Sequence, residues 1–379
     1  MIRVMHLIVG LGTGGAEINL HRLVKGMDRS RFENIVVSML SPGPVGAAIT
    51  ESGVLVLSID ITPGVPDPRA VIRLARLLNR YKPDLLQTWM YHADLLGGIT
   101  AKIFSGPPIL WNIRNSGECL SQKTLILARL CAWLSSWLPQ RIVSCSNAGR
   151  DFHLRLGYSS SRMDVIFNGY DSDHYRPDPS AAEKLRAELG VGAKAKLIAN
   201  IGRYDPMKDH RCFLAAARLV RDADCDALFV LCGDGITWRN AELVDEIDRL
   251  DLRNCIFLLG RRTDVNLIMA AAAVVVSSSN SEGFPNVVAE AMACGAICVA
   301  TDVGDVRHII GDTGFVVQPN HPEELAVEVL RVLRAEPVSP GLRPSGRERI
   351  ITRFSIRSTV ESYERLYEET VAANAQAGK

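Results

Sequence analysis

Short runs of β-branched and other apolar residues alternate along this chain with segments whose apolar residues recur at helical spacing. Segments such as "RAVIRLARLLNRY" separate the runs and have the periodicity of amphipathic helices. Alternation of this kind predicts a parallel sheet with helices on both faces. The first series of predicted strands is "VMHLIV", "NIVVSML", "VLVLSI", "DLLQTW", "PILWNI", "RIVSC" and "MDVIF".

The alternation stops at "NGYDSDHYRPDPS", Asn168 to Ser180, where turn-forming residues and two prolines accumulate. This composition is typical of a linker. A second alternating series follows, so the sequence predicts an α/β protein with two Rossmann-like, doubly wound domains over residues 1–175 and 185–350. A late amphipathic helix, "FSIRSTVESYERLYEETV", could pack on either domain. The second series of predicted strands is "KLIANIG", "ALFVLCG", "CIFLLG", "AAVVVSS" and "AICVAT".

Composition narrows the class of protein. The chain has 379 residues, of which 47% are hydrophobic and 22% charged, as expected for a soluble globular protein. A net charge of +1 without a Lys/Arg run argues against nucleic acid as a partner. Nine cysteines without a C-x-x-C pair suit a reducing cytoplasm, and no apolar run reaches the ~18 residues of a membrane span.

The first predicted strand runs into a glycine-rich loop, "IVGLGTGGAEINL". Gly10, Gly12 and Gly15 have the G-x-G-x-x-G spacing of a dinucleotide or phosphate loop. An NAD site also needs an acid at the end of the second strand, where this chain has Ser41 and Pro42. We therefore expect the loop to face the phosphates of another nucleotide, with NAD as a minor alternative.

Ligands of doubly wound sheets bind outside the carboxyl ends of the strands, so the loops after the strands are the candidate sites. In "NIGRYDPMKDH", Arg203 and Lys208 follow a buried strand. A planar fork of donors and a mobile ammonium together suit a diphosphate. The alternative is two solvated surface cations, and the spacing alone does not decide between them.

A second loop, "SNSEGFPNVVAEAMACG", contains Glu282 and leads into a helix that contains Glu290. Pro285 suits the first turn of that helix, whose amino end would favour a phosphate. An acid among small apolar residues needs partners, and sugar hydroxyls are one set. The alternative is that both glutamates face solvent. The residues expected near the amino end are Phe284, Asn286 and Val287.

A third loop, "LLGRRTDVNLIM", places Arg261 and Arg262 between a strand and a helix. Asp264 is predicted to cap that helix, because an Asp side chain can accept from its first N–H groups. The role of the two arginines stays open on this pattern.

The motif G-R-x4-K from Gly202, followed by E-G-F-P-N-x3-E from Glu282, resembles the retaining glycosyltransferases of family 4. The resemblance covers nearly the whole chain and includes "GTGGAE", "GDG" and "GRRTDV" in the family's order. It implies the GT-B fold, with the active site in the cleft between two Rossmann-like domains. It also implies that the last helix, residues 355–379, packs back on the N-terminal domain.

The resemblance implies a nucleotide-sugar donor, UDP- or GDP-linked, as the substrate, with no cofactor and no metal. Gly14 and Gly15 would approach the donor diphosphate through their backbone amides. Arg203 and Lys208 would balance the charge that develops on the leaving group, and Arg262 is included among the donor-binding residues. The two D-x-D-like runs, "DSD" and "DADCD", do not follow a strand that ends at the cleft.

By the same resemblance, Glu282 contacts hydroxyls of the transferred sugar and is a catalytic candidate. Glu290 holds the ribose hydroxyls of the nucleotide. The loop before Glu290 supplies backbone donors to the sugar and the phosphate. Its residues are Phe284, Pro285, Asn286 and Val287, of which Pro285 has no backbone N–H to donate.

The chain departs from the family where many relatives carry a histidine after the fifth strand. Here that strand continues as "PILWNIRNSGE", which places Arg114 or Asn115 at the expected position. Arginine is not a base at neutral pH, but it can bind donor phosphate or an anionic acceptor. His92, after the fourth strand, is a second polar candidate, and its alternative is a helix-start residue with no role.

The acceptor side is expected in the more basic half of the chain. Residues 1–180 contain 19 Lys and Arg against 14 Asp and Glu, whereas acids exceed bases in the remainder. Four arginines recur at helical spacing from Arg69 to Arg80, and "LSQKTLILARLCAWLSSWLPQR" combines Leu, Trp and basic residues. Such helices can lie on an anionic membrane surface, although ordinary packing on the sheet is the alternative.

These inferences predict a retaining, metal-independent glycosyltransferase that transfers a sugar to a glycan or lipid-linked acceptor in surface polysaccharide synthesis. We expect it in the cytoplasm, with peripheral contact at the inner membrane surface. The alternatives are a nucleotide-sugar epimerase or phosphorylase on the same fold, and a nucleotide-sugar-binding protein without catalysis.

Overall fold

The computed structural model describes residues 1–62, 67–117, 120–334 and 341–377. Contacts within the chain divide it into two compact units. The first unit comprises Met1–Gly169 and Ile356–Lys379, and the second comprises Tyr170–Ser355. The chain thus enters the second unit inside the predicted linker and returns to the first at its last helix.

The first unit is built on a seven-stranded parallel sheet with the strand order β3-β2-β1-β4-β5-β6-β7. All seven strands predicted for this half are confirmed. The apolar runs are nearly continuous because both faces of the sheet are covered. The strands are β1 (Ile2–Ile8), β2 (Phe32–Ser38), β3 (Leu55–Ser58), β4 (Leu85–Trp89), β5 (Ile109–Ile113), β6 (Arg141–Ser144) and β7 (Met163–Val165).

Helices cover both faces of this sheet, as the alternation predicts. Val4 and Ile8 point to one face, where α1, α2 and α15 pack. Met5 and Leu7 point to the other face, where α3, α4 and α5 pack. The helices are α1 (Gly15–Gly26), α2 (Pro44–Glu51), α3 (Arg69–Tyr81), α4 (Tyr91–Ile103), α5 (Gln122–Leu134), α6 (Asn147–Arg155) and α15 (Ile356–Ala377).

Buried polar contacts tie the last helix, α15, to the first unit. The Tyr367 hydroxyl donates to the side-chain carbonyl of Gln87 on β4. The side-chain amide of Asn112 on β5 donates to the Tyr363 hydroxyl at 2.9 Å. These contacts, together with the apolar residues of α15 in the core, make the returning helix a part of this unit.

The second unit has a six-stranded parallel sheet with the order β10-β9-β8-β11-β12-β13. Its five predicted strands are confirmed, and β13 is added at the edge. β13 was not predicted, because its apolar run, "FVV", is shorter than the run "CIFLL" that contains the equally short β10. The strands are β8 (Lys196–Ile201), β9 (Ala227–Cys232), β10 (Ile256–Leu258), β11 (Val274–Ser277), β12 (Ile297–Thr301) and β13 (Phe315–Val317).

Helices cover the second sheet as well, and its core is rich in Val, Leu, Ile and Ala. No helix within the described ranges is long and apolar enough to cross a membrane. The helices are α7 (Ala181–Leu189), α8 (His210–Ala223), α9 (Ala241–Arg249), α10 (Val265–Ala271), α11 (Asn286–Ala293), α12 (Val306–Ile310), α13 (Pro322–Arg334) and α14 (Leu342–Arg353).

Each sheet has a switch point, where the strand order reverses direction. It lies between β1 and β4 in the first unit and between β8 and β11 in the second. The carboxyl ends of the two flanking strands form a crevice there, which is where ligands of doubly wound sheets bind. The glycine-rich loop follows β1, and the loops with Lys208 and Glu282 follow β8 and β11.

Candidate active site

In the second unit, two loops meet at the switch point and bring Lys208 and Glu282 together. The Lys208 ammonium forms an ion pair with the Glu282 carboxylate, and their side chains are 24% and 16% exposed. The Ser279 hydroxyl donates to the same carboxylate oxygen at 2.8 Å. The Ser278 hydroxyl donates to the backbone carbonyl of Lys208 at 2.9 Å. The two motifs therefore form one half-buried polar site.

Local turns hold the loop that carries Lys208. The Asp205 carboxylate accepts from the N–H of Met207 at 2.9 Å and shapes the short 3-10 turn Pro206–Lys208. Asp209 adopts a left-handed conformation with φ of 46°, and its carboxylate accepts from Cys212 at the start of α8. The Lys208 backbone is thus fixed on both sides, so its ammonium is presented from a defined position.

Two glycines allow the backbone to approach these loops closely. A Cβ on Gly304, whose φ is +55°, would lie 2.1 Å from the carbonyl oxygen of Glu282. A Cβ on Gly233 would lie 1.9 Å from the carbonyl oxygen of Gly202. Gly233 belongs to the "GDG" run of the family resemblance, whereas Gly304 lies in none of the motifs that carry the resemblance.

The helix after Glu282, α11, begins at Asn286, with Pro285 as its N-cap and not in its first turn as predicted. The carbonyl oxygen of the Asn286 side chain accepts from the Tyr170 hydroxyl at 2.7 Å. The Tyr170 ring stacks on Phe284, with 6.5 Å between ring centroids, and both residues are buried. Tyr170 thus orients the first helical residue, a role the sequence analysis did not predict.

Glu290 lies on the fifth position of α11, half-buried, with buried apolar residues on either side of it in the chain. The prediction of an acid within a packed, apolar helix is confirmed. Val287 lies in the first turn of the same helix, where the N–H groups and the positive end of the helix dipole favour an anion. The contacts of Glu290 and Val287 with a ligand stay predictions.

The other cations of this unit differ in how strongly they are paired. Arg203 is 52% exposed and pairs with Asp205 at 2.9 Å. Arg262 forms two hydrogen bonds to Asp264, at 2.8 and 2.6 Å, and an ion pair with Glu188. These bonds raise the pKa of Arg262. The Arg262 side chain is therefore already paired with two carboxylates, and this geometry does not favour a role in donor binding. That role stays a prediction.

The cap predicted for Asp264 is wrong. Asp264 is the N-cap residue of α10, but its side chain makes no capping hydrogen bond. Its carboxylate accepts from Arg262 instead, and those hydrogen bonds lower the pKa of Asp264. The sequence pattern could not decide between these partners. An Asp two residues after an Arg and just before a helix can accept from the guanidinium or from the first N–H groups of the helix.

In the first unit, the glycine-rich loop leads directly into α1. Gly14 is the N-cap of this helix and Gly15 its first residue, with no side chain capping the end. The Glu17 carboxylate folds back toward Gly14, since a Cβ there would lie 2.5 Å from its oxygen. The loop thus has the strand–loop–helix geometry of a phosphate loop, and contact of Gly14 and Gly15 with a ligand stays a prediction.

Arg114 directly follows β5, and its neighbours hold its side chain. Its guanidinium lies over the Trp89 ring, 5.3 Å from the ring centroid. It also donates to the side-chain carbonyl of Asn168 at 2.6 Å. Because Trp89 ends β4, at the switch point, Arg114 is an oriented cation at the edge where ligands bind. The adjacent Asn115 accepts from the Tyr91 hydroxyl at 2.9 Å.

His92 lies in the first turn of α4, and its side chain is exposed. Desolvation by the surrounding protein lowers the pKa of its imidazole below the ordinary value. Met90, two residues earlier, has φ 75° and ψ 157°, a conformation that L-residues rarely adopt. Strain at the end of β4 marks this turn as a candidate site and supports no specific role for His92.

Two family models match this chain and together span most of it. The model for glycosyltransferase family 4 matches residues 13–174. The model for glycosyl transferases group 1 matches residues 195–335. Each match falls on one of the two predicted domains.

Individual proteins resemble the chain over most of its length. A UDP-Gal:alpha-D-GlcNAc-diphosphoundecaprenol alpha-1,3-galactosyltransferase from Escherichia coli is 24% identical over 81% of each chain. Anabaena Alr3699/HepE, solved with UDP-glucose, is 24% identical with a TM-score of 0.86, covering 98% of this chain and all of that one. A sucrose-phosphate synthase from Thermosynechococcus elongatus is 19% identical with a TM-score of 0.82, covering 98% and 100%.

These matches and the two doubly wound sheets agree with the family resemblance drawn from the motifs. They do not support the alternative of an NAD enzyme. The structure does not support it either, because β2 ends at Ser38 without the carboxylate that an NAD site needs. The chain belongs to the glycosyltransferases of the family 4 and group 1 type and has the GT-B fold.

Proposed function

We propose that this chain is a retaining, metal-independent glycosyltransferase. It transfers a sugar from a UDP-linked donor to a glycan or lipid-linked acceptor in surface polysaccharide synthesis. The observation that carries the proposal is the Lys208–Glu282 ion pair at the switch point of the second sheet. A cation and a carboxylate held together there supply the two kinds of group that a sugar diphosphate needs.

Lys208 is the group proposed to stabilise the leaving diphosphate. When the bond between the sugar's anomeric carbon and the phosphate oxygen breaks, its electron pair stays on that oxygen. An ammonium carries three N–H donors, so its bond to Glu282 does not exhaust it. Held by its loop before the reaction, Lys208 needs little reorganisation to stabilise the new charge. The amino end of α11 adds N–H groups aimed at an anion.

The two glutamates are proposed to hold different parts of the donor. Glu282, beside Lys208, accepts from hydroxyls of the transferred sugar, which gains positive character as the bond breaks. Glu290 accepts from the ribose hydroxyls, which do not change during the reaction. A hydrogen bond to a charged group contributes about 1.5–3 kcal/mol, so either glutamate has a measurable effect.

Arg114 is proposed to bind an anionic group of the donor or of the acceptor. Its stacking on Trp89 and its bond to Asn168 support a fixed guanidinium, which suits phosphate better than a mobile lysine does. A lipid diphosphate is one acceptor of this chemistry, as in the name of the Escherichia coli relative. The solved complexes of Alr3699/HepE with UDP and UDP-glucose favour UDP over GDP for the donor.

The proposal is tested by incubating the protein with UDP-sugars and GDP-sugars in the presence of a chelator and a mixture of lipid-diphosphate sugars. We expect transfer from a UDP-sugar, and NMR of the product should show the anomeric configuration of the donor. Loss of transfer in chelator, restored by Mg²⁺ or Mn²⁺, would contradict metal independence. Conversion of the sugar without an acceptor would indicate an epimerase, and binding without turnover a non-catalytic protein.

A further inference from the structure

Helix α5 of the first unit and the turn after it present a row of large apolar side chains to solvent. The row consists of Ile126, Leu130, Trp133 and Trp137, here called the apolar stripe. Their exposed fractions are 66%, 40%, 63% and 63%. Spacings of four, three and four residues place them along one side of the helix.

The opposite side of α5 is also apolar and is already used. Ala128, Cys131 and Ala132 are buried in the core against the sheet. The structure therefore accounts for one face of this helix and leaves the second in water. A helix that is apolar on both sides is normally covered on both, and contiguous exposed apolar patches mark interaction surfaces.

The stripe ends in two tryptophans that lie next to each other. The Trp133 and Trp137 rings are 5.1 Å apart between centroids. Indole rings are large and apolar but carry one N–H donor, and they are enriched where hydrocarbon meets water. This pairing fits the boundary of a lipid bilayer.

Basic residues surround the stripe. Lys123 and Arg129 are exposed on α5 itself, and Lys102 is exposed near the end of α4, which packs against α5. Helix α3, which packs against α4, presents Arg69 and Arg76 as exposed residues. The acid contained in these three helices is Asp94, which is buried. The face therefore has a positive charge that complements an anionic partner.

Apolar and basic side chains also lie side by side where α3 meets the end of α4. Phe104 and Ile72 are 52% and 49% exposed. Together with Arg76 and Lys82 they line an open hollow of about 520 Å³. The same combination of apolar and basic groups thus extends beyond α5 along this face.

We propose that the apolar stripe and the basic residues around it form a docking surface for an anionic lipid bilayer. Trp133 and Trp137 enter the headgroup boundary, and the basic side chains contact lipid phosphates. Such contact is peripheral and strengthens with anionic lipid. The inference rests on the proposed function only for the purpose of the docking surface, which is to bring the first unit to a lipid-linked acceptor.

Co-sedimentation of the full chain with vesicles of phosphatidylcholine, with and without phosphatidylglycerol, tests the surface. We expect binding to the anionic vesicles that weakens as salt rises. Trp133→Ala with Trp137→Ala should reduce partitioning by about tenfold or more. Lys123→Ala with Arg129→Ala should reduce it roughly thirtyfold, because each basic residue near the surface contributes about one kcal/mol.

Matched controls come from the second unit. Trp238→Ala removes a tryptophan that is 44% exposed, and Arg218→Ala with Arg334→Ala removes two exposed charges. Both controls should partition like the parent. Equal binding of all variants, binding independent of phosphatidylglycerol, or no binding would overturn the proposal. Sedimentation equilibrium that shows a dimer in the parent and a monomer in the tryptophan variant would assign the stripe to self-association instead.

The vesicle assay contains no donor, whereas UDP binding is measured without vesicles. Vesicle binding without UDP affinity would therefore contradict the proposed function and leave the docking surface intact. UDP affinity without vesicle binding would contradict the docking surface and leave the proposed function intact.

Discussion

The two units have the same architecture but prepare their switch points differently. In the second unit, loops after two different strands bring opposite charges together, as in the Lys208–Glu282 ion pair. In the first unit, the cation at the corresponding edge, Arg114, has neutral partners in Asn168 and Trp89, and the imidazole of His92 is exposed. The same sheet order thus fixes where a site lies, whereas the charges that the loops bring together decide what the site can bind.

This difference matches the chemistry proposed for each unit. A sugar diphosphate presents charge in a compact group, and a preorganised set of donors stabilises it best. Acceptors vary in shape and charge, so a site with fewer fixed groups can suit them. We thus assign the donor to the second unit and expect variants there to have the larger effects on activity.

The largest effect is expected for Lys208→Ala. Removing a preorganised donor from a developing negative charge costs about 10²- to 10³-fold in rate, and the variant also leaves Glu282 without its cation. Steady-state kinetics with saturating acceptor measures the loss. The control is Arg203→Ala, which removes a more exposed cation from the same loop and should cost far less. Equal losses in both variants would contradict the special position of Lys208.

Substitution of the two glutamates should separate their roles. Glu282→Gln should lower kcat more than it raises the donor KM, because its contact strengthens in the transition state. Glu290→Gln should raise the donor KM and change kcat less, since the ribose contact is the same before and during the reaction. If both variants transfer like the parent, the assignment of the glutamate pair is wrong. If Glu282→Gln changes only the donor KM, the glutamate pair still binds the donor, but the roles given to its two members are wrong.

In the first unit, Arg114→Lys should lower turnover by about tenfold, since lysine keeps the charge but loses the planar fork and the stacking on Trp89. The variant is compared with Arg155→Lys, a change at another position of the same unit. A turnover equal to that of the parent would show that Arg114 has only a structural role. A larger loss than in Lys208→Ala would contradict the expectation that variants of the second unit have the larger effects.

The sequence predicted the residues of the donor loops better than their partners. Lys208 and Glu282 were both predicted, because each lies in a local motif after a strand. Tyr170 was missed, since its contact with Asn286 spans a long sequence separation that no local pattern records. Asp264 was placed at a helix start correctly but with the wrong partner. Local spacing predicts position, whereas hydrogen-bond partners depend on tertiary structure.

The smallest effect is expected for Tyr170→Phe. The change removes the hydroxyl that orients Asn286 and keeps the ring that stacks on Phe284. A neutral hydrogen bond contributes about 0.5–1.5 kcal/mol, so we expect a several-fold rise in the donor KM. Tyr367→Phe is the matched control, because it removes a buried, hydrogen-bonded tyrosine hydroxyl from the first unit. A similar fall in melting temperature without a KM change in either variant would reduce Tyr170 to a packing role.

Calorimetric titration of UDP into the full chain shows whether the second unit holds the nucleotide. Compared with the parent, Lys208→Ala and Glu290→Gln should each weaken UDP binding by about tenfold or more. Arg114→Lys should weaken UDP binding less than either of them, because lysine keeps the positive charge. Unchanged affinity in both second-unit variants, with a loss in Arg114→Lys, would contradict the account and assign the nucleotide to the first unit.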